Sequence, residues 1–431
     1  MAASALQAAL GVSQPTMSRA LTALGDDVLR IGAARSIHYA WHDRARGVDP
    51  APVWRVGADG RLMALGQLHP ACPEGWVMVQ ADGRGLHSQG LPWWLQDMRP
   101  QGFLGRAFNQ HHGTVLGLPE RLGDWQDRHV MQALLQQGDD LPGNLLIGAE
   151  ARERFVTAHD AAPLPRAGRA RAYGRLAAAA ARGEATGSSA GGEQPKFCAW
   201  AAFDEGPAHV IVKFSAPVLN AVSQRWSDLL LAEHLALQVL QAHGVPAARS
   251  ALWQAGPQRF LEVQRFDRQG ARGRHALHSI GVLDAEFVGG TDTAWPGVTR
   301  SLMAEGVVQA GAQALVDRQW AFGCLIGNTD MHGGNLAFLA DAGRPYALAP
   351  AYDMTPMAFA PGAGGDLPQR QLAEPVTDRV PPEAWRHALA MAQDWLQRLR
   401  ADARLSEGFA PCLPVLAQQL ARAGQRVDRL A

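Results

Sequence analysis

Asp330, His332 and Asn335 lie together in "NTDMHGGNLAF" (residues 328–338), between the apolar runs "QWAFGCLIG" and "LAFL". Left unpaired at a core boundary, each polar group would cost about 1–3 kcal/mol, so the stretch calls for a ligand such as phosphate or a metal ion. Phosphoryl transfer supplies one. It needs an Asp to orient or deprotonate the attacking hydroxyl, an Asn a few residues on to hold magnesium, and a further Asp to bridge metal and phosphates. Asp330 and Asn335 have the D-x-x-x-x-N spacing, and "LAPAYDMTP" delivers Asp353 just after the strand-like "PYALA". His332 reads as a brace for the loop.

Upstream, Lys213 sits inside the apolar run "VIVKF", where a lone ammonium is costly unless it meets an anion such as a nucleotide phosphate. Glu233, in "LLLAEHLAL", is placed to hold that lysine. The loop "TGSSAGGEQPKF", with Gly187, Gly191 and Gly192, is weak evidence by itself, because glycines also serve plain turns. Followed by a buried lysine, it fits a phosphate-covering loop.

These residues must be carried by identifiable elements. "RARAYGRLAAAAARG" is Ala-rich and helical, "HVIVKF" and "RFLEVQRFDR" read as strands, and "DLLLAEHLALQVLQAHG" as the helix between them. Beyond about residue 300 the pattern is almost wholly helical, in "LMAEGVVQAGAQALVDRQWAFGCLIG" and "PEAWRHALAMAQDWLQRLRADA". Before the glycine loop, "VWRVGADGRLMALGQL" and "EGWVMVQADGRGLHSQGL" are strand pairs around Asp-Gly turns. Trp93 and Trp94 read as core or lobe-interface residues.

The N-terminal stretch "SALQAALGVSQPTMSRALTALG" predicts a short helix, a turn at Gly11, and a second helix capped by Ser13 with Pro15 in its first turn. Opposite its apolar stripe stand Gln14, Thr16, Ser18, Arg19 and Thr22, able to bond phosphates or base edges. "VLRIGAARSIHYAW" then reads as a two-stranded wing carrying Arg30 and Arg35, completing a winged helix-turn-helix. Four arginines against three aspartates within residues 1–45 make phosphate attraction weak for one copy, so DNA binding is expected of a homodimer.

Forty basic and forty acidic residues balance, which excludes a global nucleic-acid or membrane footprint, and 47% hydrophobic residues suffice for more than one core. At 431 residues the chain is long enough for about three domains. No apolar stretch approaches the roughly 20 residues of a membrane span. The four cysteines form no CxxC pair, and no basic segment followed by an apolar run opens the chain, so a reduced, cytoplasmic protein is expected.

With these motifs together, the sequence resembles the HipA-like serine/threonine kinases of bacterial toxin-antitoxin systems. "LPWWLQDMRPQGFLGR" and "GDDLPGNLLIG" are similar to their N-terminal subdomain signatures, "SAGGEQPKF" to their glycine loop, "VIVKF" to their ATP-lysine strand and "VQRFDR" to their hinge. "NTDMHGGNLAF" and "PAYDMTP" are similar to their catalytic and metal loops. The fused DNA-binding module resembles the YjjJ-type subgroup of toxin-regulators. The resemblance implies an α+β, bilobed protein-kinase-like fold, with a β-rich N-lobe and a helical C-lobe.

On that resemblance Asp330 is the catalytic residue, Asn335 and Asp353 hold Mg2+, and ATP is bound by Gly187, Gly191, Gly192, Lys213, Glu233, Glu262 and Gln264. Ser189, or the adjacent Ser188, is the autophosphorylated serine. The expected units are 1–45 (DNA-binding), 50–150 (β-rich), 151–265 (N-lobe) and 266–431 (C-lobe). The implied partners are a protein substrate, of which an aminoacyl-tRNA synthetase is the family's example, and a double-stranded DNA operator. A small-molecule kinase, or a repressor whose kinase-like part only senses nucleotide, remain alternatives.

Overall fold

The computed structural model describes residues 1–32, 37–158, 161–183, 192–362, 364–368 and 372–430. It opens with two short helices, α1 (Ala3–Leu10) and α2 (Gln14–Leu24), and a hairpin of β1 (Val28–Ile31) and β2 (His38–Trp41). Gly11 at φ 62° ends α1 in the left-handed region, where a side chain would be strained, and the Ser13 hydroxyl caps α2 by accepting from the Thr16 N–H. The helices bury little: Met17 is the one buried residue of α2, and α1 has none. The hairpin is better anchored. Ile31, Leu29 and Ala40 pack on Ala71, Val77 and Val79 of the next unit.

That unit is a five-stranded antiparallel sheet. Its strands are β3 (Ala51–Val56), β4 (Leu62–Pro70), β5 (Trp76–Gln80), β6 (Gly85–Ser88) and, after α3 (Gly102–Leu116) and α4 (Asp127–Gln137), β7 (Leu145–Ile147), in the order β6-β5-β4-β3-β7. The stretch "LPWWLQDMRPQGF" is helical but broken near Pro100, into a 3-10 segment Trp93–Met98 and α3. Alternate residues such as Val53, Leu68 and Met78 pack on Leu95, Phe108, Trp125 and Leu134 to form its core. Helix α5 (Ala149–Thr157) buries Phe155 against Val56 and Leu146 of this sheet. By packing it belongs here, whereas a break at 150 would place it in the next unit.

The small lobe follows. Helix α6 (Arg169–Ala181) lies on one face of a four-stranded antiparallel sheet built from β8 (Lys196–Ala201), β9 (Ala208–Phe214), β10 (Ser250–Ala255) and β11 (Gln258–Gln264), ordered β10-β11-β9-β8. Between β9 and β10 runs α7 (Ala221–Ala242), started by a reciprocal Asn220–Ser223 capping box and buried along most of its length. Strand pairing places Lys196, Lys213 and Leu261 side by side, whereas Phe197, Val212 and Glu262 share the opposite face, toward α6.

The large lobe begins with the two-residue strands β12 (Arg268–Gln269) and β13 (Gly273–Arg274), then β14 (Leu277–Ser279), α8 (Ile280–Phe287), α9 (Trp295–Ala304) and α10 (Ala312–Ile326). After α10 come β15 (Ala337–Leu339), β16 (Ala347–Leu348), α11 (Pro382–Ala401) and α12 (Cys412–Val427). Its core is continuous with α7, joining Leu235, Trp295, Phe322, Trp385, Trp395 and Leu416 among others. The architecture is therefore α+β and bilobed, with the middle unit and the helix pair in front. Among the described residues no helix is long and apolar enough to cross a membrane.

Candidate active site

A cleft of about 480 Å³ lies between the two lobes, walled by Lys196, Lys213, Glu233, Asn335 and Asp353 and by the chain from Gln264 to Asp267. Strand β9 brings Lys213 into it and α7 brings Glu233. The Lys213 ammonium donates to Glu233 Oε1 at 2.7 Å and Oε2 at 2.9 Å, and to Asp353 Oδ1 at 2.5 Å. Burial opposes its charge, but the two carboxylates outweigh burial and raise its pKa above the ordinary lysine value. Burial also opposes the charge of Asp353, yet Lys213 and Lys196 hold that carboxyl below its usual range. Asp353 has φ 56°, a left-handed backbone that few non-glycine residues adopt.

The polar stretch after α10 is almost entirely partnered. Asn328 Oδ1 accepts from the Asp330 N–H at 3.0 Å, and Asn335 Nδ2 donates to the Asp330 carbonyl at 2.8 Å. The His332 carbonyl accepts from Trp295 Nε1 at 3.0 Å, and its Nδ1 accepts from the Gly334 N–H at 2.9 Å. Gly333 and Gly281 touch backbone to backbone, and a Cβ on Gly333 would come within 2.7 Å of the Gly281 Cα. Gly333 is therefore needed to seat the loop against α8, whereas a Cβ on Gly281 would lie a tight 3.3 Å from Gly333 Cα. Asp330 itself does not line the cleft: its side chain is half exposed, 4.0 Å from Nε2 of His332, which does. Partial burial raises its pKa above the ordinary carboxyl value.

The structure thus gathers Lys213, Glu233, His332, Asn335, Asp353 and Gly192 in the wall of one cleft, with Asp330 outside that wall but near enough to feel the charges of Asp353 and Lys213. Glu262 departs from the expected set. It faces α6, 1% exposed, where Arg169 Nη1 donates to it at 3.1 Å, Trp253 Nε1 at 3.1 Å, and the Tyr173 hydroxyl also donates. Its side chain is fully engaged away from the cleft because Glu262 pairs with Val212, not with Lys213. Gln264 borders the cleft. Gly187, Gly191, Ser188, Ser189 and Arg35 lie outside the described residues.

Sequence reasoning missed Lys196. It is 3% exposed, beside Lys213 in the register, and burial lowers its pKa. It opens an apolar strand in "QPKF", so the argument applied to Lys213 would have found it. Also missed was the middle unit's share of the wall, Gln96, Asp97, Arg99 and Gln101. Asp97 Oδ2 accepts from the Ser279 N–H at 2.7 Å, and the Phe103 N–H donates to the Gly192 carbonyl at 2.9 Å. The unit before the lobes therefore touches Gly192, where the described part of the glycine loop begins.

The donor set fits a hard divalent cation. Asn335 Oδ1 and Asp353 Oδ2 take no hydrogen bond among the described residues, and both belong to the cleft wall. Among the described residues no group of three or more His, Cys, Asp or Glu side chains could hold a metal ion, so further oxygens would have to come from a bound phosphate or water. Of the residues expected to contact DNA, Gln14, Thr16, Ser18, Arg19, Thr22 and Arg30 are all exposed. Two of their hydroxyls are partly occupied locally, Thr16 with Ser13 at 3.0 Å and Thr22 with the Ser18 carbonyl at 2.9 Å.

This fold and cleft are those of a known class: the chain belongs to the HipA-like toxin family. Residues 188–410 match the HipA-like C-terminal domain and residues 48–156 the middle domain of YjjJ-like toxins. The chain is 38% identical to Toxin YjjJ of Escherichia coli (strain K12) over 427 residues, 99% of this chain and 96% of that one. Among solved structures, it is similar to HipA of Shewanella oneidensis MR-1, determined in a complex with HipB and operator DNA. That likeness has 14% identity and a TM-score of 0.49, over 88% of this chain and 99% of that one. The Helicobacter pylori proinflammatory kinase CtkA is similar at 14% identity and a TM-score of 0.41, over 56% of this chain and 94% of that one.

Proposed function

We propose that the chain is an ATP-dependent serine/threonine protein kinase whose N-terminal helix pair binds double-stranded DNA. One observation carries the kinase reading: Lys213 is buried in the cleft between Glu233 and Asp353, while Asp330 stands half exposed close to that charged group and beside His332 of the cleft wall. Lys213, steadied by Glu233, would bind the phosphates of ATP, with Lys196 beside it. Asn335 and Asp353 would hold Mg2+, which when bound neutralises phosphate charge and aligns it for in-line transfer. Asp330 orients the incoming hydroxyl and accepts its proton, for which its raised pKa makes it a better base than an ordinary carboxylate. The hydroxyl belongs to a protein substrate, and a loop serine, Ser189 or Ser188, is the self-target. The four free thiols fit a reducing compartment such as the cytoplasm.

DNA binding is supported by the exposed row Gln14, Ser18 and Arg19 along a capped helix. The kinase reading is tested by incubating the full chain with magnesium and ATP labelled on its γ-phosphate. Asp330→Asn should lower incorporation at least about a hundredfold, the scale of a lost general base, while ATP affinity stays near wild type. Lys213→Ala and Asp353→Asn should lose both. Near-wild-type labelling by Asp330→Asn would refute its assignment, and wild-type chain that binds ATP yet transfers nothing would make the lobes a nucleotide sensor.

A further inference from the structure

Behind the cleft, a second cavity of about 380 Å³ opens at the seam between the five-stranded sheet and the β14–β15 region of the large lobe. One partition, Asp97 with Pro142 and Leu277, borders both spaces. Apolar side chains make much of its wall, among them Val53, Met78, Trp94 and Leu145, with Leu86 49% exposed. Into the same space face Arg55, Asn144, His278 and Tyr346.

Among the described residues, none of these four side chains has a hydrogen-bond partner, although Asn144 is 4% and Tyr346 8% exposed, and Arg55 Nε is buried without one. Of their polar atoms Arg55 Nε is the one both buried and unpartnered among the described residues, and such a buried orphan calls for a partner. Burial keeps His278 neutral, lowering its pKa to about 4, so it adds no second cation at neutral pH. The two carboxylates on the wall are already engaged. Asp97 accepts from the Ser279 N–H at 2.7 Å, and Asp341 pairs with His275 Nδ1 at 2.6 Å and accepts from the Ala276 N–H at 2.7 Å. Arg55 is thus the cavity's uncommitted charge, a planar fork of donors matched to a carboxylate.

We propose that this cavity is a binding site for a small amphipathic carboxylate, its carboxylate on Arg55 and Asn144 and its apolar body against Met78, Trp94 and Leu145. The site stands apart from the nucleotide reading, because none of Arg55, Asn144 or Tyr346 lines the first cleft. Such a ligand would bridge the middle unit and the large lobe.

Benzoate, indole-3-acetate and octanoate, each beside its neutral amide, are titrated at millimolar concentration into the full chain and followed by calorimetry. At least one carboxylate should bind more tightly than its amide, roughly tenfold for one charge-assisted hydrogen-bond pair. Arg55→Met should erase that preference, Arg55→Lys should restore part of it, and Lys213→Met should leave it unchanged. Unbound thermal melts of each variant report whether it folds, and the lysine variant keeps the test alive if the methionine one does not. If no carboxylate outbinds its amide, the cavity holds water alone and the proposal fails. Preference that follows Lys213 rather than Arg55 would put the anion in the first cleft, which also overturns it.

Discussion

Around Lys213 the charged side chains are buried and paired, whereas along α1 and α2 a single side chain, Met17, is buried and the polar face meets solvent. The contrast fits the two proposed roles. A cleft that positions charged groups has to remove them from water, and each one so removed demands a partner or its pKa shifts. A helix that reads a macromolecule must instead keep its donors and acceptors free until the partner arrives. The first region should therefore be rigid and intolerant of substitution, the second loosely held and tolerant.

The sharpest way to break that contrast lies on the small-lobe sheet. Arg169 and Glu262 are 2% and 1% exposed and joined at 3.1 Å, with Tyr173 and Trp253 also donating to the carboxylate. Arg169→Met should destabilise the fold by about 3–5 kcal/mol, because an uncompensated carboxylate would remain buried. Adding Glu262→Leu should recover most of that loss. Urea unfolding of the single and double variants decides the matter, and a single variant as stable as wild type would show that the pair carries no such cost.

The same pair shows why part of the site was illegible. Asp330, Asn335 and Asp353 converge because they lie on two neighbouring loops, and that spacing is local. Lys213 announces itself as a charge inside an apolar run. Which face of β11 Glu262 occupies depends on pairing with β9, and register is a non-local property: a shift of one residue would have turned Glu262 toward the cleft. The network of buried Arg268 with half-exposed Asp140 at 3.1 Å and with the carbonyls of Leu141 and Gly143 was equally hidden. It joins residues more than a hundred positions apart, across a seam that no periodicity reports. The β-rich and helical halves, in contrast, were readable from alternation and from 3.6-residue stripes such as the one that buries Trp385, Ala388, Ala392, Trp395 and Leu399 in α11.

A gentler probe acts at the seam. His278 lies between Trp93 and Tyr346, with ring centroids 4.8 and 5.7 Å away, and burial lowers its pKa to about 4. In the unfolded chain an imidazole titrates near 6.5. The unfolded state thus takes up a proton that the fold refuses. Stability from this group is complete above about pH 6.5 and is lost as pH falls toward about 4, by about 3 kcal/mol at most. His278→Gln should reduce the acid sensitivity by that amount between pH 7.5 and 4.5. Identical pH slopes for the two chains would mean that His278 is not kept neutral. His234, lowered to about 4 by burial as well, stays in both and supplies a common background.

The smallest effect is expected from the exposed helix pair, and it tests the other half of the contrast. Arg44 is paired with Asp27 at 2.8 Å and Arg46 with Asp43 at 3.0 Å, while Arg19 and Arg30 have no ion pair among the described residues. The module therefore offers few free cations, and its DNA affinity should fall only shallowly with salt, by roughly one unit of log slope for each phosphate contacted. Arg19→Ala changes no packing, since Arg19 is exposed and only Met17 of α2 is buried. It should leave unfolding and phosphoryl transfer as they are. If Arg19 reads a guanine, the substitution should cost about 1–3 kcal/mol at the preferred site and little elsewhere. If it touches phosphate, all sequences should weaken alike and the slope should fall by about one per copy. Selection from genomic fragments at moderate salt, followed by titrations of both chains at several salt concentrations, separates the two. Should no motif be enriched and neither quantity move, α2 is a packing element whose polar face reads nothing.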